Sequence, residues 1–248
     1  MNAPRPTGDR LAVIYGYSLP QGAHPVDGEQ IEIDAGGDRP VEAIDGGDLV
    51  GLPRHGFDRG VPAHLVDHRA NARALCELGC GRVVALGSAG SLGADLAVGS
   101  FVCPDDFYAP ETAPSFYDDP RGHSIPGFDL DWRKEVLDTW RDRAESELID
   151  GGVYAQTLGP RFETPAEVRA LSRVADVVGM TLAAETVLAR EASLAYAAVC
   201  SVDNLANGLS DEALTVEEYE SGRDLTAEAL QAALAWVLPA LVARAPRR

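Results

Sequence analysis

Five short segments carry residue types that could hold an anion and a flat heterocycle. Arg54-His55-Gly56 closes an apolar run. A guanidinium beside an imidazole at a strand end forms a cradle for an oxyanion, because arginine grips phosphate through two parallel N–H bonds. Taken alone, the pair reads more readily as two solvated turn residues. Gly87-Ser88-Ala89-Gly90-Ser91 offers backbone N–H groups and small hydroxyls to an anion or a sugar, or makes a tight turn in which glycine supplies a positive φ. Gly159-Pro160-Arg161-Phe162-Glu163-Thr164 is more specific. Phe162 can stack on a heterocycle and Glu163 can accept an N–H from it. The plainer reading is a helix start, where Glu163 and Thr164 suit the positive end of the helix dipole. In Gly179-Met180-Thr181, Met180 offers a polarisable floor for a sugar or base, although a lone methionine is more often core. Val202-Asp203-Asn204 sets two polar side chains after an apolar strand. Burying both without partners is costly, so they point to a site.

These segments need a frame. Apolar runs predict strands at residues 11–16, 48–53, 82–86, 100–103, 151–157, 176–180 and 194–202. Helical periodicity covers 63–78, 130–148, 165–172, 183–191 and 216–242, with Gly79 as the stop of the first and Pro165 in the first turn of the third. Trp132 and Trp140 are the expected anchors of the second helix. Residues 34–48 read as a meander of short strands and turns, and the proline-rich stretch 107–127 as a long surface loop. The alternation predicts one α/β domain, a mixed central β-sheet flanked by helices on both faces, over residues 11–248, preceded by a flexible N-terminus at 1–10. In such sheets ligands sit at the carboxyl ends of strands. Tyr15 to Ser18, Arg54 to Gly56, residues 87–91, Met180-Thr181 and Asp203-Asn204 all fall at such ends.

Composition narrows the partners. Of 248 residues, 39 are acidic and 21 basic, giving a net charge of −18. That balance argues against a nucleic-acid groove or an anionic membrane surface, while a small anion needs only a local cluster of donors. No apolar stretch reads as long enough for a membrane span, which needs about 20 residues, and the polar N-terminus lacks the apolar core of a signal peptide. Cys76, Cys80, Cys103 and Cys200 read as buried thiols of a cytoplasmic protein. His64 and His68 stand four apart, but no third ligand follows at zinc-like spacing.

In order and spacing, the segments resemble the trimeric purine nucleoside phosphorylases, in the branch that includes methylthioadenosine and methylthioinosine phosphorylases. The resemblance runs from about Leu11 to Ala206. It is strongest at Arg54-His55-Gly56, Pro62-Ala63-His64 with Arg69-Ala70-Asn71, Gly87 to Leu92, Ser115-Phe116-Tyr117-Asp118, Gly152-Val153-Tyr154, Gly159 to Thr164 and Gly179-Met180-Thr181. It implies a nucleoside phosphorylase-like fold and a homotrimer. It also implies phosphorolysis of a purine nucleoside to free base and pentose 1-phosphate, with inorganic phosphate as co-substrate and no metal or organic cofactor. By the same resemblance Ser18, Arg54, His55, Ser88 and Thr181 would hold phosphate. Met180 would lie against the ribose and Phe162 on the purine, with Ala89, Gly90 and Asp203 completing the substrate surface. Glu163 would bind N1–H and Asn204 would bind N7 and the 6-substituent; with His55 these two form the implied catalytic set. His123, in the 107–128 loop, would reach the 5′ side of a neighbouring subunit's pocket.

The Glu163 and Asn204 pair leans to 6-oxopurines, possessing N1–H, and a 5′-modified nucleoside such as methylthioinosine fits the branch. Three departures stand beside the resemblance. Tyr15-Gly16-Tyr17-Ser18 replaces a small-residue phosphate loop, glycine stands for a threonine near Ser88, and no threonine precedes Asn204. Either Ser18 reaches phosphate through a shifted loop, or Tyr15 and Tyr17 fill the anion site. The second case leaves a nucleoside hydrolase that uses water, or a purine-binding relative without turnover, as the alternatives.

Overall fold

Leu11 to Ile14 of β1 (Arg10–Tyr15) are all buried, as a strand covered on both faces requires. Residues alternate between faces. Ala12 and Ile14 join one apolar core, while Leu11 and Val13 join another. In this computed structural model, which describes residues 2–93, 95–210 and 215–244, β1 lies parallel between β4 (Leu49–Pro53) and β5 (Cys80–Ser91). Beyond β4, β3 (Val41–Asp45) and β2 (Glu29–Ile33) add antiparallel strands, the last with an exposed, charged edge.

β5 divides the sheet. Its first half lies between β1 and β11 (Ala195–Leu205). Its last residues exchange β1 for β10 (Val177–Gly179), which pairs antiparallel at Gly90 and Ser91. β9 (Val153–Gln156) and β7 (Asp106–Tyr108) continue beyond β10, while β6 (Phe101–Cys103) and β8 (Leu148–Asp150) continue beyond β11. On one edge of β5, pairing to β1 ends at Ala85 and pairing to β10 begins at Gly90. Backbone groups in that gap need other partners.

Helices α1 (His68–Glu77) and α4 (Leu182–Ala192) cover one face. Helices α2 (Leu130–Arg143) and α5 (Val216–Ala243) cover the other, with Trp132 and Trp140 buried as anchors. The short α3 (Pro165–Leu171) starts with a capping box between Thr164 and Glu167, with Pro165 in its first turn. The architecture is the expected α/β fold with a mixed sheet.

Several boundaries move. The strand foreseen at 82–86 runs on through residues 87–91, so this segment is strand and not turn. The strand foreseen at 194–202 likewise contains Asp203 and Asn204. The helix foreseen at 63–78 begins only at His68, because Asp67 caps it by accepting from Ala70 N; residues 63–65 form a separate 3₁₀ turn. It ends at Glu77 with Leu78 as its cap, and Gly79, whose φ is 76°, turns the chain just beyond. The helix foreseen at 130–148 ends at Arg143, and its tail becomes β8 beside β6. The N-terminal segment expected to be flexible is tied down: Ala3 is buried and Arg5 donates to Glu191 O and Ser193 Oγ. The expectation that no stretch is long enough to span a bilayer also fails. Tyr219–Ala243 passes by length and composition, with mean hydropathy 1.6. Leu230, Leu234, Val237 and Leu241 are buried in the second core, the pattern of a helix packed on a sheet. All four cysteines are free and buried, and burial pushes Cys80 and Cys103 up to about 12.

Candidate active site

The unpaired edge of β5 opens onto a cavity of about 290 Å³. Ten of the expected site residues line it: Arg54, His55, Ser88, Ala89, Gly90, Phe162, Glu163, Met180, Thr181 and Asn204. Tyr17, Pro62, Ala63, Pro160, Val178, Gly179, Ala206, Asn207 and Tyr219 complete the wall.

Arg54 follows β4 and is buried. Its Nη1 donates to Leu86 O at 3.0 Å, which satisfies a carbonyl in the β5 gap. Its Nε and Nη2 form a two-pronged ion pair with Glu185 of α4, and Tyr196 Oη donates to the same carboxylate at 2.7 Å. Burial pushes the Glu185 carboxyl up, but the Arg54 charge and its two guanidinium bonds, with the Tyr196 hydroxyl bond, outweigh it and hold the group below its usual range. Of five guanidinium N–H groups, three are thus engaged and two remain.

His55 bonds Val61 O through Nδ1 at 2.7 Å. A carbonyl only accepts, so Nδ1 carries the proton and Nε2 presents a lone pair. Burial, then the Arg54 charge, pushes the imidazolium down to about 4. A Cβ on Gly16 would lie 3.1 Å from His55 Nε2 and 3.2 Å from Arg54 Nη1. Glycine is therefore required there by the close approach of the loop to the two side chains, and not by its φ.

Tyr17 packs against His55 with ring centroids 4.6 Å apart and the planes tilted by 51°, and the Arg59 guanidinium lies 5.3 Å from the Tyr17 ring centroid. Arg59 Nη2 also donates to Gly16 O at 3.2 Å, which fixes the loop. Tyr15 is buried and bonded to His24 Nδ1 at 2.8 Å. Of the two tyrosines, Tyr17 alone lines the cavity. Ser18 corrects an expectation: it is fully buried, its Oγ has no partner, and it does not line the cavity. A loop that turns Tyr17 inward to the cavity turns its neighbour away.

Asp203 is the second correction. It does not line the cavity. The β11 register slips between Val202, opposite Ala89, and Asn204, opposite Gly90, so Asp203 is the extra residue of a bulge. Its carboxylate accepts from Ser88 Oγ and, at 2.6 Å, from Thr226 Oγ1 of α5. Burial raises it above the usual carboxylate range, against these hydroxyl bonds. The bulge lets Asn204 face the cavity. Asn204 Nδ2 gives one hydrogen to Leu205 O at 2.8 Å, leaving its other N–H and its carbonyl for a ligand.

Glu163 is buried and lines the cavity, and Thr157 Oγ1 donates to its Oε1 at 2.6 Å. Asn207 Nδ2 holds the Glu163 carbonyl at 3.0 Å. Gly159, with φ 66°, brings the chain so near Met180 that a Cβ would lie 2.6 Å from its Sδ. Thr181 precedes α4 without capping it, which leaves its hydroxyl free of the helix. Phe162 meets Tyr219 with centroids 5.4 Å apart, and Tyr219 Oη lies 3.3 Å from Ser88 Oγ. His123 is exposed at the end of a 3₁₀ turn and does not line this cavity.

The family model described as the phosphorylase superfamily matches residues 21–239. The chain belongs to that superfamily. Among relatives in this superfamily, a probable 6-oxopurine nucleoside phosphorylase of Archaeoglobus fulgidus is 36% identical over 81% of this chain and 80% of its own. A probable S-methyl-5′-thioinosine phosphorylase of Methanosarcina acetivorans is 40% identical over 72% of this chain and 69% of its own. The fold matches methylthioadenosine phosphorylase from Schistosoma mansoni in complex with adenine, with a TM-score of 0.78, 24% identity, and coverage of 96% of this chain and 93% of that one.

Within this phosphorylase fold, sequence reasoning missed Glu185, Tyr196 and Tyr219. Glu185 had a signal, a lone carboxylate in the apolar run Leu182-Ala183-Ala184-Glu185-Thr186-Val187-Leu188. Tyr219 had none, since it joins the site only through the packing of α5 on β11.

Proposed function

We propose that this chain cleaves the N-glycosidic bond of a purine nucleoside by phosphorolysis, yielding free base and pentose 1-phosphate. One observation carries the reading: a single cavity is lined both by Arg54, His55 and Thr181 and by Phe162, Glu163 and Asn204. The first set suits an oxyanion, the second a purine. The bond from C1′ to the base nitrogen breaks with its electron pair leaving on the base. A phosphate oxygen then bonds to C1′ of the oxocarbenium-like sugar. Groups already in place at both ends stabilise the separating charges without reorganising.

The base favoured is a 6-oxopurine. Glu163 Oε2 accepts N1–H, and the Asn204 amide donates to O6 while its carbonyl accepts from N7 as that nitrogen takes, through water, the proton that the attacking phosphate gives up. A 6-aminopurine would present a bare N1 lone pair to the carboxylate. The names of the relatives from Archaeoglobus fulgidus and Methanosarcina acetivorans agree with this choice. Met180 and Tyr219 form apolar wall compatible with a 5′-modified sugar. Phosphate is the co-substrate, and the reading calls for no metal or organic cofactor.

A cytoplasmic homotrimer serving purine salvage is part of the same proposal, with His123 reaching the 5′ side of a neighbour's cavity. A His123→Ala protein that kept its preference among 5′-substituents would remove that assignment. The decisive experiment is a panel of inosine, methylthioinosine, adenosine and methylthioadenosine, assayed with and without phosphate, with base and sugar products identified. Phosphate-dependent release of hypoxanthine with pentose 1-phosphate is expected. Release at full rate without phosphate would mean a hydrolase, and binding without product a purine-binding protein; either overturns the proposal.

A further inference from the structure

We infer that the outward face of α5 is a docking surface for a second copy of this chain, the two helices packing antiparallel about a two-fold axis. None of the residues on that face lines the cavity, and the inference stands apart from the phosphorolytic reading.

One side of α5 packs on β11 and α2, and the other faces solvent. Leu225, Ala229, Ala232 and Trp236 are all exposed and follow one another at spacings of four, three and four, so they form one stripe along the helix. Leu225 is 74% exposed and Trp236 69%. Of the three tryptophans, Trp132 and Trp140 are buried anchors and Trp236 alone is exposed. Ala235 and Pro239 are exposed as well and widen the apolar face. The helix is therefore apolar on its buried side and on its open side, which is why it passes for a membrane span while packed on a sheet. Contiguous exposed apolar faces mark interaction sites, and tryptophan is among the commonest anchors of one.

The stripe fits itself. Leu225 and Trp236 stand equally far from its midpoint, as do Ala229 and Ala232. Turned end for end, a second α5 sets the partner's Trp236 on Leu225 and the partner's Ala232 on Ala229. Each contact then occurs twice, as a two-fold interface requires. The alanines in the middle let the helix axes approach closely, and the large side chains close both ends.

Charge selects the antiparallel sense. Residues 216–230 hold five acids against one arginine, whereas residues 231–248 hold three arginines and no acid. A stretch of that length without a carboxylate is unusual in a chain with 39 acids among 248 residues. Beside the stripe runs an exposed row of Asp224, Glu228, Gln231, Ala235 and Pro239, acidic in its first half and uncharged in its second. Antiparallel packing lays each acidic half against the acid-free, arginine-bearing half of the other copy. Parallel packing would set acids against acids, a juxtaposition that suppresses association. The same acids turn the face away from an anionic membrane, whose surface repels them.

Sedimentation equilibrium of the wild type over a concentration series should show an even number of copies, two for the pair alone or six where the chain also forms the proposed trimer. Leu225→Glu with Trp236→Glu should halve that mass, raising the dissociation constant at least about 100-fold as the loss of two anchors does, with circular dichroism unchanged. In the wild type, tryptophan emission should move to the red on dilution, as Trp236 is uncovered. Leu225→Cys with Trp236→Cys in one chain tests the sense of packing. The two positions lie about 16 Å apart along the helix and cannot bond within one chain, and the native cysteines are all buried. Mild oxidation should therefore link the double variant into covalent pairs, and neither single variant. Single variants that link as readily would mean parallel helices and overturn the inference. So would one or three copies throughout the wild-type series, or an unchanged mass in the double glutamate variant. A blue shift of the dilute wild type on adding phosphatidylglycerol vesicles would make the face a membrane contact and overturn it as well.

Discussion

Arg54 and Glu185, 131 positions apart, meet through two parallel N–H···O bonds beneath the cavity. The pair holds the guanidinium so that its third nitrogen caps Leu86 O in the gap of β5. Removing one partner of a buried pair costs about 3–5 kcal/mol, because the other charge is left uncompensated. Glu185→Gln should destabilise by that order in urea unfolding, and it should also raise the phosphate KM by loosening Arg54. An apolar double replacement, Arg54→Met with Glu185→Leu, should recover most of the stability while abolishing phosphate use. If the single and double variants unfold at the same urea concentration, the pair is not the strut described.

Acid should destabilise the fold through two histidines. His55 and His68 fall from 6.5 to about 4, chiefly by burial. Between these values the unfolded chain binds protons that the native chain does not. The stability they contribute is full above pH 6.5 and is lost as pH falls toward 4. Each contributes a slope of about 1.4 kcal/mol per pH unit in that window. Unfolding free energies at pH 7.5, 6 and 5 should decline accordingly, and His68→Gln should make the decline shallower. An unchanged slope in that variant would show that His68 is not buried as a neutral ring.

Base choice should follow the two polar groups that face the purine. Glu163→Gln should cut kcat/KM for inosine by about 10²-fold or more, since a lost charged acceptor costs about 1.5–3 kcal/mol and the transition state leans on it further. Asn204→Asp should shift preference toward 6-amino nucleosides, because a protonatable carboxylate can serve N7 and the 6-amino group together. Competition between inosine and adenosine in one reaction gives the ratio directly. A ratio that stays fixed in Asn204→Asp would count against that pairing.

Gly222 sets how near α5 comes to β11. A Cβ there would stand 1.7 Å from Asp203 O. Gly222→Ala should therefore push out the start of α5, cost about 2 kcal/mol or more as an overpacked site does, and lower turnover through Tyr219. Gly93, whose added Cβ would meet nothing within 4 Å, provides the control. Gly93→Ala should be neutral in thermal unfolding or slightly stabilising. Equal effects of the two changes would mean that α5 is free to shift.

The sequence made much of this visible where local rules decide. Arg54, His55 and Thr181 were legible because strand ends in α/β sheets face ligands. Phe162 and Glu163 were legible because an aromatic and a carboxylate sit in a Gly-Pro turn. Asp203 was misread because a bulge changes which neighbour faces which side, and nothing in Val202-Asp203-Asn204 announces an extra residue in the ladder. Ser18 was misread for a related reason: the loop's direction is set by Arg59 and His55, which are distant in the chain. Residues 87–91 looked like a turn from their glycines, but β10 and β11 pair with them and impose strand geometry. What escaped was tertiary, as with Glu185 reaching Arg54 and α5 delivering Tyr219.

The close seat of α5 on β11 has a consequence for biosynthesis. Tyr219 and Thr226, which complete the wall and the Asp203 network, come after every strand of the sheet in chain order. A nascent chain can form every strand of the sheet and still have an open, unfinished hollow. Competence to bind then waits on one further step, the docking of α5 on β11.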